Sequence, residues 1–371
     1  MVDVSVVLPC RNEEKTIEKC IKQIKDVFKQ NNIKGEIIVS DSSIDSSFEI
    51  AKQNKVNIVK HKKVGYGIAC ILGANKAKGN VIIFGDSDGT YDFSEIPYLL
   101  DKIKTSDIVI GSRMKGNMEM GAMAPLHRYV GNPILSKLLN LFFGTNISDC
   151  HSGLRAIKKK AYDVLELRTS GMEFASEMII RAAKKNMKIS EVPISYSKRV
   201  GKSKLSSFSD GWRHLRFMLL LSPTYLYLIP GSIVFVLGII MLFGMAFGEV
   251  FYDGMNLSSY IVLIGSFLTM LGYQIISLGL FSNIYAVHNG FEENDVIIDN
   301  IARWFPLERG IKIGLVISLT GFLWFLGDAF ELFNLKYNSL SGVVIPLTLL
   351  IVGIQTVFSV FFVSMMLIEK L

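Results

Sequence analysis

Four long apolar runs limit what this chain can be. Tyr225–Phe247, Leu257–Phe281, Ile311–Phe333 and Val343–Ile368 each exceed the ~20 residues that cross a ~30 Å hydrocarbon core. Helices of a soluble core are the alternative, and at these lengths they do not need to be apolar all round. The pattern predicts an all-α transmembrane domain of four helices over 224–371. Loop charge predicts its orientation. Gly248–Asn256 carries Glu249 and Asp253 but no Lys or Arg, and Asn334–Leu340 carries only Lys336. The connection after Phe281 holds Arg303, Arg309 and Lys312. The positive-inside rule then places that connection, the N-terminal domain and the C-terminus in the cytoplasm, and an even number of crossings agrees. No charged-then-apolar leader is expected at the N-terminus, because Val4–Leu8 is too short and reads as a strand. Asp328 and Glu331, near one end of the third run, read as a helix end rather than a pocket.

Just upstream, Asp210–Leu221 is amphipathic, with Trp212, Arg213 and Arg216 beside Phe217, Leu219 and Leu220. Such a mixture suits the headgroup layer, which predicts a juxtamembrane helix over 210–223. Residues 1–209 follow a different regime. The chain's net charge is +7, and its Lys and Arg lie mostly before the first apolar run. That favours an anionic partner such as a phosphate, a nucleotide or an acidic leaflet. No nucleic-acid fingerprint is present. Cys10, Cys20, Cys70 and Cys150 have neither CxxC nor Cys/His zinc spacing and are expected as reduced thiols.

Within 1–209 the periodicity alternates. Val4–Leu8, Glu36–Ser40, Asn57–Val59, Val81–Phe84 and Asp107–Arg113 read as strands, with helices at Thr16–Lys29, Ser46–Lys52 and from Gly65 to about Ala77. Such βα alternation predicts a parallel, doubly wound sheet. Ligands bind at the carboxyl edge of such sheets. Asp86 and Asp88 follow Val81–Phe84 at that edge. Their oxygens suit Mg²⁺ or Mn²⁺ bridged to a substrate phosphate, although Asp-Ser-Asp-Gly is also good turn chemistry. Asp41 ends the second strand, where a carboxylate accepts hydrogen bonds from a base or ribose. Gly65 and Gly67 open a helix whose N–H groups favour an anion. The third glycine of a dinucleotide fingerprint is missing, so NAD is rejected.

Further on, Ile134–Phe143 is an apolar helix, either a core helix or one lying in the membrane surface over about 130–145. Asp149–Arg155 is expected as a polar loop. Phe174–Lys184 is a helix carrying Glu177, and Glu191–Ile194 is a strand. Arg199-Val200-Gly201-Lys202-Ser203-Lys204 reads as a solvated basic face or a phosphate clamp.

Six segments, in this order, resemble family 2 glycosyltransferases of GT-A fold, in particular the polyprenyl-phosphate (dolichyl-phosphate) glycosyltransferases. They are Pro9-Cys10-Arg11-Asn12-Glu13, Asp41-Ser42-Ser43-Ile44-Asp45, Asp86-Ser87-Asp88, Gly111-Ser112-Arg113, Ser152-Gly153-Leu154-Arg155 and Arg199 through Leu205. The resemblance covers about the first 220 residues. It implies a Rossmann-like nucleotide-sugar domain in which Pro9, Arg11, Glu13, Asp41, Gly65 and Asp86 bind the donor. It also implies that Asp86 and Asp88 hold Mg²⁺ or Mn²⁺, with Arg113 and Arg199 joining them in catalysis. Arg113, Arg128, Ser152, Arg155, Arg199 and Lys204 would bind the acceptor phosphate. Many relatives have Gln two residues after the second Asp as a further metal ligand. Here it is Thr90, which leaves Asp92 as a candidate. Glu177 and Asp149 are expected to orient arginines rather than act as bases.

The activity implied is inverting hexose transfer from a UDP- or GDP-sugar to a polyprenyl phosphate at the cytoplasmic membrane face. Membrane lipids are expected partners, and a homo-oligomer is an open expectation. A processive polysaccharide synthase is the rival, but Asn300-Ile301-Ala302-Arg303-Trp304 departs from its QxxRW element and follows the second crossing. A membrane protein that only binds nucleotide, or a transporter, is the other alternative.

Overall fold

The computed structural model describes residues 2–201, 207–244, 251–252, 255–288, 306–330 and 340–368. The chain divides into two compact units, Met1–Met218 and Leu219–Leu371.

In the first unit the apolar runs form strands β1 (Val4–Cys10), β2 (Gly35–Asp41), β3 (Asn57–Lys60), β4 (Val81–Phe84), β5 (Ile108–Ser112), β6 (Arg155–Lys158) and β7 (Ile189–Pro193). They lie in the order β3-β2-β1-β4-β6-β5-β7. β1 is buried along its length because it lies between β2 and β4, parallel to both. That position accounts for its unbroken apolar reading.

The expectation of a wholly parallel sheet is corrected in one place. β6 lies between β4 and β5 and runs antiparallel to both. It comes from the end of the stretch expected as a polar loop. Only Ala156 and Ile157 carry its apolar signal, and Arg155 and Lys158 flank them, so the run is too short to register as a strand.

The helices α1 (Ile17–Gln30), α2 (Ser47–Gln53), α3 (Tyr66–Ala74), α4 (Ile96–Lys102), α5 (Asn132–Phe143), α6 (Lys159–Leu165), α7 (Phe174–Lys184) and α8 (Ser207–Leu220) accompany the sheet. α1 buries Ile17, Cys20, Ile21, Ile24, Val27 and Phe28 at helical spacing, each large aliphatic side chain contributing about 1.5–3 kcal/mol. α5 buries Ser136 and Leu139 while Ile134 and Leu141 stay exposed, as do Leu126 and Tyr129 ahead of it. It is therefore neither fully a core helix nor free of the core.

The second unit contains four spans long and apolar enough to cross a bilayer, Thr224–Gly244, Leu257–Val287, Leu307–Ala329 and Ser341–Leu367. The second runs past the expected end at Phe281, and the third begins ahead of Ile311. The expected ends at Phe247 and Phe333 lie outside the described residues. The last two spans are helices α11 (Leu307–Ala329) and α12 (Ser341–Ile368), counting α9 (Ile229–Gly244) and α10 (Leu257–His288) before them. Gly314 and Gly353 face each other across α11 and α12, where an added Cβ on either would meet the other's carbonyl oxygen at 2.7–2.8 Å. Small residues of this kind let membrane helices pack closely. Ser266 and Thr348 hydroxyls lie 2.7 Å apart, and Tyr273 donates to Thr356 at 2.9 Å, joining α10 to α12.

Candidate active site

The carboxyl ends of β1 and β4 carry the acidic pair. Val7 and Phe84 are in register, and Gly85 N donates to Val7 O at 3.2 Å. The turn after β4 is then fastened to β1 and α1. Ser87 Oγ donates to Pro9 O at 2.7 Å, and Thr16 Oγ1 donates to Ser87 O at 2.7 Å. Asp88 Oδ1 accepts from Thr90 N at 3.1 Å and from Thr90 Oγ1 at 2.6 Å. Thr90, where the resemblance leaves a further metal ligand in doubt, thus holds the second aspartate through Oδ1.

Asp86 is partly exposed as a residue, but its Oδ1 is buried and has no hydrogen-bond partner. The backbone of Gly153 closes over the same carboxylate, since a Cβ there would lie 2.6 Å from Oδ2. Gly153 N in turn donates to the Tyr91 hydroxyl at 2.6 Å. Burial first, and the neighbouring Asp88 second, push the Asp86 carboxyl up to about 7; the Tyr66 hydroxyl, Arg113 and Arg199 oppose this.

Arginines approach this pair from two later segments. Arg199 Nη2 donates to Glu13 Oε1 at 2.5 Å, and Nη1 lies 3.4 Å from Asp88 Oδ2. Its segment is stitched alongside the acidic turn. Ser195 N donates to the Glu95 carboxylate, Tyr196 bridges to Tyr91, and Ser197 N donates to Thr90 O at 2.8 Å. Arg113 follows β5 and is buried. Its Nε and Nη2 donate to the two oxygens of Asp149 at 2.7 and 2.8 Å, and its guanidinium lies 5.1 Å from the Tyr196 ring centre. The ion pair with Asp149 holds its pKa well above the ordinary range despite the burial. Glu191 accepts from Ser148 N at 2.8 Å and from Asp149 N at 3.2 Å, fixing the clamp.

The structure brings Glu13, Asp86, Asp88 and Arg199 together, with Arg113 charge-coupled to Asp86. Pro9 contributes its carbonyl to the turn, and Arg11 is exposed beside it in sequence. Asp41 is buried at the end of β2, where Lys60 Nζ reaches it at 2.6 Å and Ser43 N donates to it. Ser152 is buried, and its hydroxyl has no partner. Arg128 lies ahead of α5 with its guanidinium 5.4 Å from the Tyr129 ring centre. Lys204 lies outside the described residues, as does the 300–304 element.

Three of the expected residues meet protein partners in the structure. Gly65 precedes α3, but Gly67 N and Ile68 N donate to Gly171 O and Ser170 O, so a protein loop takes the helix N-terminus instead of an anion. Arg155 is 1% exposed and its guanidinium donates to Ser152 O, Ala175 O and Cys150 O. It joins a loop to α7 and offers no donor fork to an acceptor phosphate. Asp92 caps the turn at Ser94 N and accepts from Gln23, and no group of three metal-ligating side chains occurs among the described residues. Glu177 accepts from Arg181 of its own helix, and from Arg168 N and the Thr169 N and hydroxyl, so it orients an arginine, though not one of the acidic turn, and holds a loop. Asp149 orients Arg113, as the sequence suggests.

Lys60, Tyr91, Tyr196 and Glu191 are the working residues that sequence reasoning missed. Tyr91 alone had a local signal, standing directly after the acidic turn. The donor set of Asp86 and Asp88 is hard oxygen at the edge of a sheet, with a buried oxygen left without a partner. This fits a divalent cation completed by substrate phosphate and water.

Residues 5–165 match the glycosyl transferase family 2 domain, and residues 280–367 match the glycosyltransferase family 2 C-terminal transmembrane region. The chain is 37% identical over 370 residues to the low-salt glycan biosynthesis hexosyltransferase Agl6 of Haloferax volcanii, covering 96% of this chain and 87% of that protein. It is 32% identical over 216 residues to the UDP-N-acetylglucosamine–dolichyl-phosphate N-acetylglucosaminyltransferase of Methanococcus voltae, covering 52% and 84%. A dolichyl-phosphate hexose transferase of Haloferax volcanii is 30% identical over 210 residues, covering 56% and 89%. The chain belongs to glycosyltransferase family 2, as an integral membrane member in which a GT-A domain precedes four apolar helices.

Proposed function

We propose that the chain transfers a hexose from a nucleotide sugar to a polyprenyl (dolichyl) phosphate at the cytoplasmic membrane face, with inversion and with Mg²⁺ or Mn²⁺. The observation that carries this reading is a set of buried polar atoms left without partners on the segments that carry the acidic pair, its arginine and the loop packed on Asp86. They are Asp86 Oδ1, Ser152 Oγ and Arg199 Nε, with Asp88 and Glu13 beside Arg199. Two carboxylates and an arginine fork placed this way suit a metal-bound diphosphate facing a second phosphate. Relatives named for dolichyl-phosphate transfer support the acceptor class.

Asp86 and Asp88 would hold the divalent ion, whose role when bound is to neutralise charge on the departing diphosphate. Glu13 and Asp41, the latter through Lys60, would hold the nucleotide. Arg199, Arg113 and Ser152 would orient the acceptor phosphate, and Arg128 would meet it near the lipid. An acceptor phosphate oxygen bonds to the anomeric carbon as the carbon–oxygen bond to the nucleoside diphosphate breaks. The lipid phosphate is already anionic near neutral pH, so no base is required and alignment supplies most of the rate.

The test is a donor screen on the purified full chain in detergent, with Mn²⁺ and undecaprenyl phosphate, following release of UDP or GDP. A single-sugar lipid is expected. Polymer formation, or no transfer from any donor, would overturn the proposal.

A further inference from the structure

We propose that His214 is a positioning residue for the transfer reaction, holding the catalytic loop through the ring of His151. The inference rests on the reading above and extends it to the helix that leads into the membrane. His214 lies on α8, 7% exposed, shortly before the first span begins at Thr224. Its ring meets that of His151 edge to face, with centres 4.2 Å apart and planes at 66°. Its Nδ1 lies 3.3 Å from Ser176 Oγ on α7. Arg213 Nε, beside it, reaches Glu173 Oε1 at 3.3 Å, giving α8 a second hold at the start of α7.

His151 sits between two parts of the site. Asp149, on one side, clamps Arg113 with both oxygens. Gly153, on the other, packs on the carboxylate of Asp86. The loop is also held by α5, where Cys150 N donates to Ser136 Oγ at 3.2 Å. A shift of the His151 ring therefore moves an arginine clamp and a metal-site wall together. Burial, His214 and the charges of Arg113 and Arg155 drive His151 well below its ordinary pKa. It remains neutral and packs against His214 as an aromatic ring, with no charge repulsion across the contact.

The role is tested on the full chain in detergent, with Mn²⁺, undecaprenyl phosphate and the nucleotide sugar turned over by the unmodified protein. His214→Ala is expected to lower kcat about tenfold through misplacement of the loop and to raise the Mn²⁺ concentration for half-activation. His214→Phe keeps a ring edge and is expected to recover kcat to within about threefold of the unmodified chain. His151→Ala with His214→Ala is expected to lose no more than His214→Ala alone, the signature of residues acting through one contact. Hydrogen exchange, which needs no turnover, is expected to quicken across 148–154 in His214→Ala and to stay unchanged in β1. Unchanged kcat and exchange in His214→Ala would overturn the inference. So would strictly additive losses in the double variant, or an equal loss in His214→Phe at unchanged melting temperature. If the unmodified chain transfers nothing, the proposed reaction falls, and the exchange experiment still decides the part played by His214.

Discussion

Asp86 ionises in a place that resists charge. Its carboxyl is raised from 3.8 to about 7 by burial and then by Asp88, so a cation binding there must displace a proton through most of the acidic range. Apparent Mn²⁺ affinity, measured by titration calorimetry, is therefore expected to rise about tenfold per pH unit below about 7 and to level off above it. The stability effect has the opposite sign. A carboxyl raised in the folded state favours folding fully only below its unfolded value, and that advantage is lost as pH rises through about 7. Metal-free Asp86→Asn should thus melt higher than the unmodified chain at pH 8, and the gain should vanish in strong acid. Asp88→Ala should abolish turnover while the far-ultraviolet circular dichroism spectrum is unchanged. Gly153 gives a steric test of the same site. A Cβ at that position would lie 2.6 Å from Asp86 Oδ2, so Gly153→Ala should weaken Mn²⁺ activation by about tenfold or more without loss of secondary structure.

At the scale of elements, the sequence made the parallel half of the sheet legible and hid the antiparallel strand. β1, β2 and β4 are apolar runs ending in chemistry-bearing residues, so strand and site appear together in Leu8-Pro9, Ser40-Asp41 and Phe84-Gly85-Asp86. β6 escaped because its apolar content is two residues, and because Arg155 looks like a binding arginine when only its motif is visible. The charge is in fact spent on carbonyl oxygens of the 150–152 loop and of Ala175. Long-range partners of this type leave no local trace: Arg199 on Glu13, Lys60 on Asp41 and Glu191 under Asp149 are pairings of side chains far apart in sequence. The Arg199 basic segment reads from sequence as a solvated face or a phosphate clamp, and its resting place beside Glu13 and Asp88 left no local trace. Arg155→Met measures the distinction. Leaving those buried carbonyls without donors should cost about 2–3 kcal/mol in urea unfolding of the first unit, with the KM for undecaprenyl phosphate changed less than about twofold in the folded fraction. A large rise in that KM at unchanged stability would restore the acceptor-binding role.

For the whole molecule, the partition into a charged unit and an apolar one makes orientation a matter of loop charge. Each pair of apolar spans is joined by a short connection, Gly248–Asn256 and Asn334–Leu340, that is poor in Lys and Arg, whereas the connection between the pairs holds Arg303, Arg309 and Lys312. Retaining cations on one side is favourable by about 1 kcal/mol per residue near an acidic leaflet, and on the proposed orientation the N-terminal unit would add its Lys and Arg to the same side. On the proposed function, nucleotide sugars and metal would then reach Asp86 and Asp88 from the face to which loop charge assigns Arg303. The native thiols make this measurable, since Cys10, Cys20, Cys70 and Cys150 are all buried and give little background to a membrane-impermeant maleimide. In sealed right-side-out vesicles, Asp253→Cys should label from outside, while Arg303→Cys should label only after the membrane is opened. Labelling of Arg303→Cys in intact vesicles would place the catalytic unit outside, away from a cytoplasmic donor pool, and the proposed direction of transfer would have to be abandoned even if the chemistry at the acidic pair stood.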